Sequence, residues 1–140
     1  MTRWEVTSAA EDPFEDRPAS FSCVGGYQVE GAVFEVETDR CAYLTAMQSS
    51  LRSVEAGDVV ESQLWHQLLV ADAPSEAHMA VRLGPYIIAE ARPPIPFPPE
   101  FYTRRWTAPE RIPVGTSVFI HVHNHGSNSY RFGSVELLDR

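Results

Sequence analysis

The sequence predicts an all-β domain, an antiparallel β-sandwich built from one continuous chain. Three observations lead there. Apolar runs are short, and turn residues separate them about every ten positions. The segment from Val118 to His123 alternates strictly, with Val118, Ile120 and Val122 on one side and Phe119, His121 and His123 on the other, the period of a strand with two different faces. No segment carries a convincing helical apolar stripe.

Taken in order, Arg3 to Thr7 reads as a short edge strand, and residues 11–20, EDPFEDRPAS, as a charged, proline-bearing connection. Ser20 to Val24 forms strand material running into Gly25 and Gly26. Tyr27 to Glu37 is expected as one strand bent at Gly31. Cys41 to Met47 is a further apolar run, and Gly57-Asp58 a turn. Val59 to Val70 has a composition that would also suit a helix. The preceding Gly-Asp and the following ADAPSE turn favour a strand, with Ala77 to Gly84 as its hairpin partner. Tyr86 to Ala91 is another strand. Residues 92–113 hold seven prolines and are expected as a long loop without regular structure. Pro113 to Leu138 then supplies two strands joined by HNHGSN, whose Asn, Gly and Ser are turn formers. The sum is about eight strands in a single domain over residues 1–140, with no internal repeat and no marked boundary.

Composition narrows the function. An apolar share of 44% with 3 Trp, 5 Tyr and 7 Phe is that of a folded core rather than of a disordered chain. The 11 basic residues are all Arg, against 19 Asp and Glu, and the net charge of -8 disfavours nucleic acid and anionic membranes as partners. A local basic patch is conceivable only around Arg104 and Arg105. The absence of Lys removes Schiff-base chemistry and lysine-dependent phosphate loops. No run approaches the roughly 20 apolar residues that span a bilayer. The first 18 residues are acidic where a signal peptide needs an apolar stretch, so a cytoplasmic location is expected. Cys23 and Cys41 are expected as buried thiols, the usual state in a reducing compartment.

Four features carry candidate chemistry. His121 and His123 at i and i+2 of a strand lie on one side about 6.5–7 Å apart, close enough to share a divalent transition metal if His66, His78, His125 or an acid such as Glu61 or Glu136 is brought alongside. Gln63, Trp65 and Gln67 share a strand face, an indole between two amides, which suits the apolar face and the hydroxyls of a sugar ring. The proline-rich loop presents Phe97, Phe101, Tyr102, Arg104, Arg105 and Trp106. Finally, Asn128, Tyr130 and Arg131 near the histidine row offer hydrogen-bonding groups to a polar ligand. Each has an ordinary structural counterpart, such as a hydrogen-bonded imidazole, a core tryptophan, a lid or interface between copies, or a turn. No GxSxG, HExxH, GxGxxG or paired CxxC is present.

Two resemblances follow from these residues. Gly115 to His123, GTSVFIHVH, is similar to the first half of the cupin metal motif, a glycine, five residues and His-x-His. That resemblance implies His121 and His123 as ligands of iron, manganese, zinc or a similar metal, although Ser127, Asn128 and Ser129 stand where a cupin places a glutamate. DPFE near the start and the closing FGSVELL resemble the galactose-binding-like jelly roll of carbohydrate-binding modules, through Phe14, Glu15, Val135 and Leu137. The aspartate of the closing pattern is replaced by Gly133 or Ser134. This second resemblance implies a noncatalytic sugar-binding role.

The expectation is therefore a jelly-roll sandwich that binds a carbohydrate or another small polar ligand. The binding face would carry Trp65, Gln63, Gln67, His121 and His123, with Asn128, Tyr130, Arg105 and Trp106 at its margin. A small cupin-like metal enzyme and a homo-oligomeric assembly protein are the alternatives.

Overall fold

The structure is a computed structural model describing residues 4–21 and 23–138. The described residues form twelve strands, β1 (Glu5–Val6), β2 (Tyr27–Glu30), β3 (Val33–Glu37), β4 (Tyr43–Ser49), β5 (Val59–His66), β6 (Ser75–Glu76), β7 (His78–Leu83), β8 (Tyr86–Ala91), β9 (Pro94–Ile95), β10 (Glu100–Thr107), β11 (Ser117–His123) and β12 (Ser129–Leu137). They form a first sheet in the order β1-β4-β11-β7-β8, a second in the order β10-β5-β12-β3-β2, and a small β6-β9 pair. All named pairings are antiparallel, and no helix occurs among the described residues. The all-β sandwich expected from the sequence is what the chain forms.

The two sheets meet over one apolar core. Leu44, Ala46, Met79, Val81, Ile120 and Val122 face it from the first sheet; Phe34, Val36, Leu64, Tyr130 and Phe132 face it from the second. The sheets differ on their outer sides. β5 alternates between buried and half-buried residues along its whole length, as a strand with one covered face should. β7 and β11 are buried almost continuously, so something covers the first sheet from outside. The cover is the segment from Thr7 to Phe21. Its Phe14 packs with Ala80, Phe119 and Met47 in a second apolar cluster. Asp12 anchors it by accepting the Phe14 amide (2.9 Å), the Arg17 guanidinium (3.0 Å) and the Tyr43 hydroxyl (2.6 Å).

Several expectations are corrected. Tyr27 to Glu37 is a hairpin rather than one bent strand: Gly31 at φ +61° opens a two-residue turn between Glu30 and Val33, a position glycine occupies without strain. Val59 to Val70 is a strand only as far as His66, and it pairs with β10 and β12 instead of with Ala77 to Gly84. The latter forms β7, which lies in the other sheet between β11 and β8. The proline-rich stretch is not all loop, because its proline-free run from Glu100 to Thr107 is the eight-residue edge strand β10. β11 and β12 do not pair with each other; their connection crosses from one sheet to the other. Cys23 and Cys41 face each other as an isolated antiparallel bridge and form a disulfide. The thiol expectation fails because that pairing sets their side chains together. Arg3 of the expected edge strand and Ser22 of the expected Ser20–Val24 strand lie outside the described residues.

Candidate functional site

The expected binding face is split by the fold. Trp65 and the pair His121 and His123 lie on opposite outer sides of the sandwich, since β5 belongs to the second sheet and β11 to the first. Other expected contacts point inward. Tyr130 is fully buried and its hydroxyl donates to Asn124 Oδ1. Asn128 is buried at the sheet crossing, where its Oδ1 accepts the Val70 amide (2.7 Å) and its Nδ2 donates to Val70 O (3.0 Å), Asn124 Oδ1 (3.0 Å) and His125 O (3.1 Å). Both are occupied in holding the fold. Trp106 alternates to the inner side of β10 and packs on the core beside Tyr86. Arg104 and Arg105 fall on opposite sides of the same strand, which divides the imagined basic patch. Arg104 lies over the Tyr102 ring, and Arg105 donates to Glu61 (2.8 Å).

The outer face of the second sheet is open. Strand register sets Phe101 beside Trp65, Trp65 beside Arg131, Arg131 beside Glu35 and Glu35 beside Gln28. This row crosses all five strands, roughly 19 Å at the usual strand spacing. It runs from aromatic to charged to amide. The Trp65 and Phe101 rings are stacked, with centroids 5.3 Å apart and planes at 23°. Phe101 is 55% exposed. The indole lies against Gly133, where an added Cβ would come within 2.8 Å of the ring. Gly133 sits in the register shift between Phe132 and Val135, so the break in pairing and the missing side chain together seat the tryptophan. Gln63 and Thr103 are paired one step further along the face. Gln67 is exposed beyond the end of β5, its amide on the Ser129 carbonyl.

From the middle of the row Arg131 Nε donates to Glu35 (3.3 Å), and at the far end an open groove of about 430 Å³ is lined by Tyr27, Gln28, Glu35, Glu37, Asp39 and Arg40. The Glu35 and Glu37 carboxyls lie together on β3 and hydrogen-bond to each other. The hydrogen bond from Glu37 holds the Glu35 carboxyl below its usual range, and the same contact raises that of Glu37. Neither Glu35 nor Gly133 stood out in the sequence, because glutamate is common on exposed strand faces and the cradle exists only once β5 and β12 pair.

The histidine row meets a different environment. His121 is fully buried and His78 nearly so, because Phe14 lies on the His121 ring at 3.9 Å between centroids. The ligand recess expected over Phe119, His121 and His123 is therefore filled by the N-terminal segment. Under that cover Asp16 Oδ2 stands 3.1 Å from His78 Nδ1, 3.1 Å from His121 Nε2 and 3.1 Å from His123 Nδ1. Burial alone would raise the Asp16 carboxyl, but the hydrogen bonds from His121, His78 and His123 outweigh it and hold it far below the carboxylate range. Burial also lowers the His121 imidazole.

Two expected metal ligands do not join this cluster. His66 faces the inner side of the second sheet, with Nδ1 donating to the Gln67 carbonyl (2.8 Å) and Nε2 facing the Tyr102 hydroxyl (3.0 Å). His125 is exposed in the turn, and only its ring approaches His123. Glu61 is held by Arg105, and Glu136 pairs opposite Glu61 on the second sheet. Asp16 was not singled out in the sequence, since an aspartate in a proline-bearing connection carries no ligand signature.

No family model and no curated protein matches the chain. Among solved structures the chain is similar to a family 4 carbohydrate-binding module (14% identity, 98% of this chain and 86% of that one, TM-score 0.47). It is also similar to a family 61 module solved with β-1,4-galactotriose (12% identity, 77% and 70%, TM-score 0.43). A third likeness is to a xylan-binding family 22 domain from Paenibacillus barcinonensis (14% identity, 86% and 90%, TM-score 0.38). The cupin resemblance of Gly115 to His123 finds no support among these comparisons.

Proposed function

We propose that the chain is a noncatalytic carbohydrate-binding module whose ligand lies across the outer face of the second sheet. The row Phe101, Trp65, Arg131, Glu35 and Gln28 supports this reading above all. A pyranose ring has an apolar C–H face and a rim of hydroxyls. The stacked indole and phenyl rings offer the first a flat surface, while the guanidinium, carboxylate and amide offer the second donors and acceptors in a fixed line. The backbone beneath is paired sheet, so little ordering entropy is lost on binding.

The test is titration of the protein with soluble β-linked gluco-, xylo-, manno- and galacto-oligosaccharides, followed by tryptophan fluorescence and calorimetry. At least one series should bind saturably. Trp65→Ala should weaken that binding at least tenfold, about 1.4 kcal/mol. No response to any series, or a Trp65→Ala protein that binds as well as the parent, would overturn the proposal.

A further inference from the structure

We infer that Asp16, His78 and His121, with His123 hydrogen-bonded to the same aspartate, form a divalent transition-metal site that fastens the N-terminal segment onto the outer face of the first sheet. The inference is independent of the sugar-binding reading, because the two sites lie on opposite sides of the sandwich.

Convergence is the first argument. His123 and His78 are register partners on β11 and β7, and His121 shares the outer side of β11 with His123. Three imidazoles are thereby gathered on two adjacent strands, and Asp16 descends onto them from the covering segment. One ligand atom from each of Asp16, His78 and His121 lies within 4.8 Å of the others. The Asp16 oxygens stand 3.0–3.1 Å from the three ring nitrogens. In a tetrahedral site with bonds of about 2.0–2.1 Å, donor atoms are about 3.3 Å apart. The carboxylate therefore already stands near donor spacing from each imidazole, and an ion would draw His78 and His121 in around it.

The second argument is independent and concerns the far sides of the rings. His78 Nε2 faces Glu90 Oε2 at 3.1 Å, and His121 Nδ1 faces Thr45 Oγ1 at 2.8 Å. Metal-bound histidines characteristically donate their other N–H to such an oxygen, which sets the tautomer and the ring orientation. His78 needs this arrangement most. Both of its nitrogens face carboxylates, Asp16 on one side and Glu90 on the other. An imidazolium would donate to both, whereas a neutral imidazole carries one N–H and serves only one. With a metal bound at Nδ1 and the proton on Nε2, every one of these contacts is satisfied.

Donor chemistry selects the metal class. Imidazole nitrogens with a carboxylate oxygen suit zinc and its first-row neighbours, whereas calcium and magnesium take oxygen shells. The two carboxylates, Asp16 and Glu90, balance a dication. Asp16 comes from the covering segment and the imidazoles from the sheet, so an ion held among them ties one to the other. An open cleft of about 540 Å³, lined in part by Asp16, His78 and Glu90, gives an ion its way in.

The test uses untagged full-length protein, metal analysis, and thermal unfolding with Zn²⁺ added after chelation. Near one equivalent of zinc-class metal and a rise in Tm with Zn²⁺ are expected. Asp16→Asn should abolish both. Glu90→Gln, which leaves every donor in place, should weaken Zn²⁺ binding about 10–100-fold. Co²⁺ replacement in the parent protein supplies a second readout, a visible spectrum of the bound ion that Asp16→Asn lacks. Less than about 0.1 equivalent of metal together with no response to Zn²⁺ or Co²⁺, or an Asp16→Asn protein that binds Zn²⁺ like the parent, would overturn the inference.

Discussion

The ring of Phe14 lies flat on the imidazole of His121, centroids 3.9 Å apart and planes 12° from parallel. One residue of the N-terminal segment thus converts the histidine face of the first sheet from a surface into an interior. Phe14→Ala should destabilise the fold by about 3 kcal/mol. It should also make His121 reactive toward diethyl pyrocarbonate, which denaturant melts and peptide mapping would show. An unchanged His121 reactivity would mean that the rest of the segment is sufficient cover.

The disulfide between Cys23 and Cys41 closes a loop with a sequence separation of 18. Thiol titration of the unfolded, unreduced protein should find no free cysteine. Replacing both residues by Ser should lower stability by about 3 kcal/mol on the chain-entropy account, read as a shift in the urea midpoint.

Gly133 leaves room for the Trp65 indole, and a Cβ there would meet the ring at 2.8 Å. Gly133→Ala should tilt or lift the indole. Sugar affinity is expected to fall several-fold while Tm hardly moves, since the ring is at the surface. Near-ultraviolet circular dichroism and titration with the best-binding oligosaccharide check the two halves separately.

The Asn128 side chain makes four hydrogen bonds under the sheet crossing. Asn128→Ala strands the Val70 amide and several carbonyl oxygens in the interior and should cost about 3 kcal/mol. Ligand affinity at fixed folded concentration should not change, which separates this residue from the binding face where the sequence had suggested it.

The hydrogen bond with Glu35 makes the Glu37 carboxyl hold its proton to higher pH than an ordinary glutamate. Its folded-state affinity for that proton is raised, so its contribution to stability is complete below the ordinary glutamate range and is lost as pH rises through the elevated value. Glu35 has the opposite sign, its contribution being present above the ordinary range and lost on acidification. A step in stability or sugar affinity should therefore appear in weak acid, above the usual glutamate range. Glu37→Gln, whose amide can still donate to Glu35, should remove that step; pH titration of both proteins would show it.

The outcome along the chain follows the range of the forces involved. The alternation from Val118 to His123 was legible because a strand's two faces are written at period two. β10 was hidden, since seven prolines around it masked a proline-free run whose partner β5 lies about 40 residues away. The hairpin wrongly given to Val59–Val70 and Ala77–Gly84 came from treating neighbours in sequence as neighbours in a sheet, where the two strands in fact occupy different layers.

What the sequence determined by itself was the class of fold, the inward and outward sides of its clearest strands, and the residue types able to meet a sugar or a metal. Only the tertiary structure decided which of those residues share a site. Trp65 and His121 proved to be on opposite sides, and Asp16 reached His121 across a separation of 105 positions. Side-chain direction is a local property of the backbone, whereas the covering of one face and the assembly of a row across five strands depend on pairings between distant segments. Residue spacing along one strand does not encode those pairings.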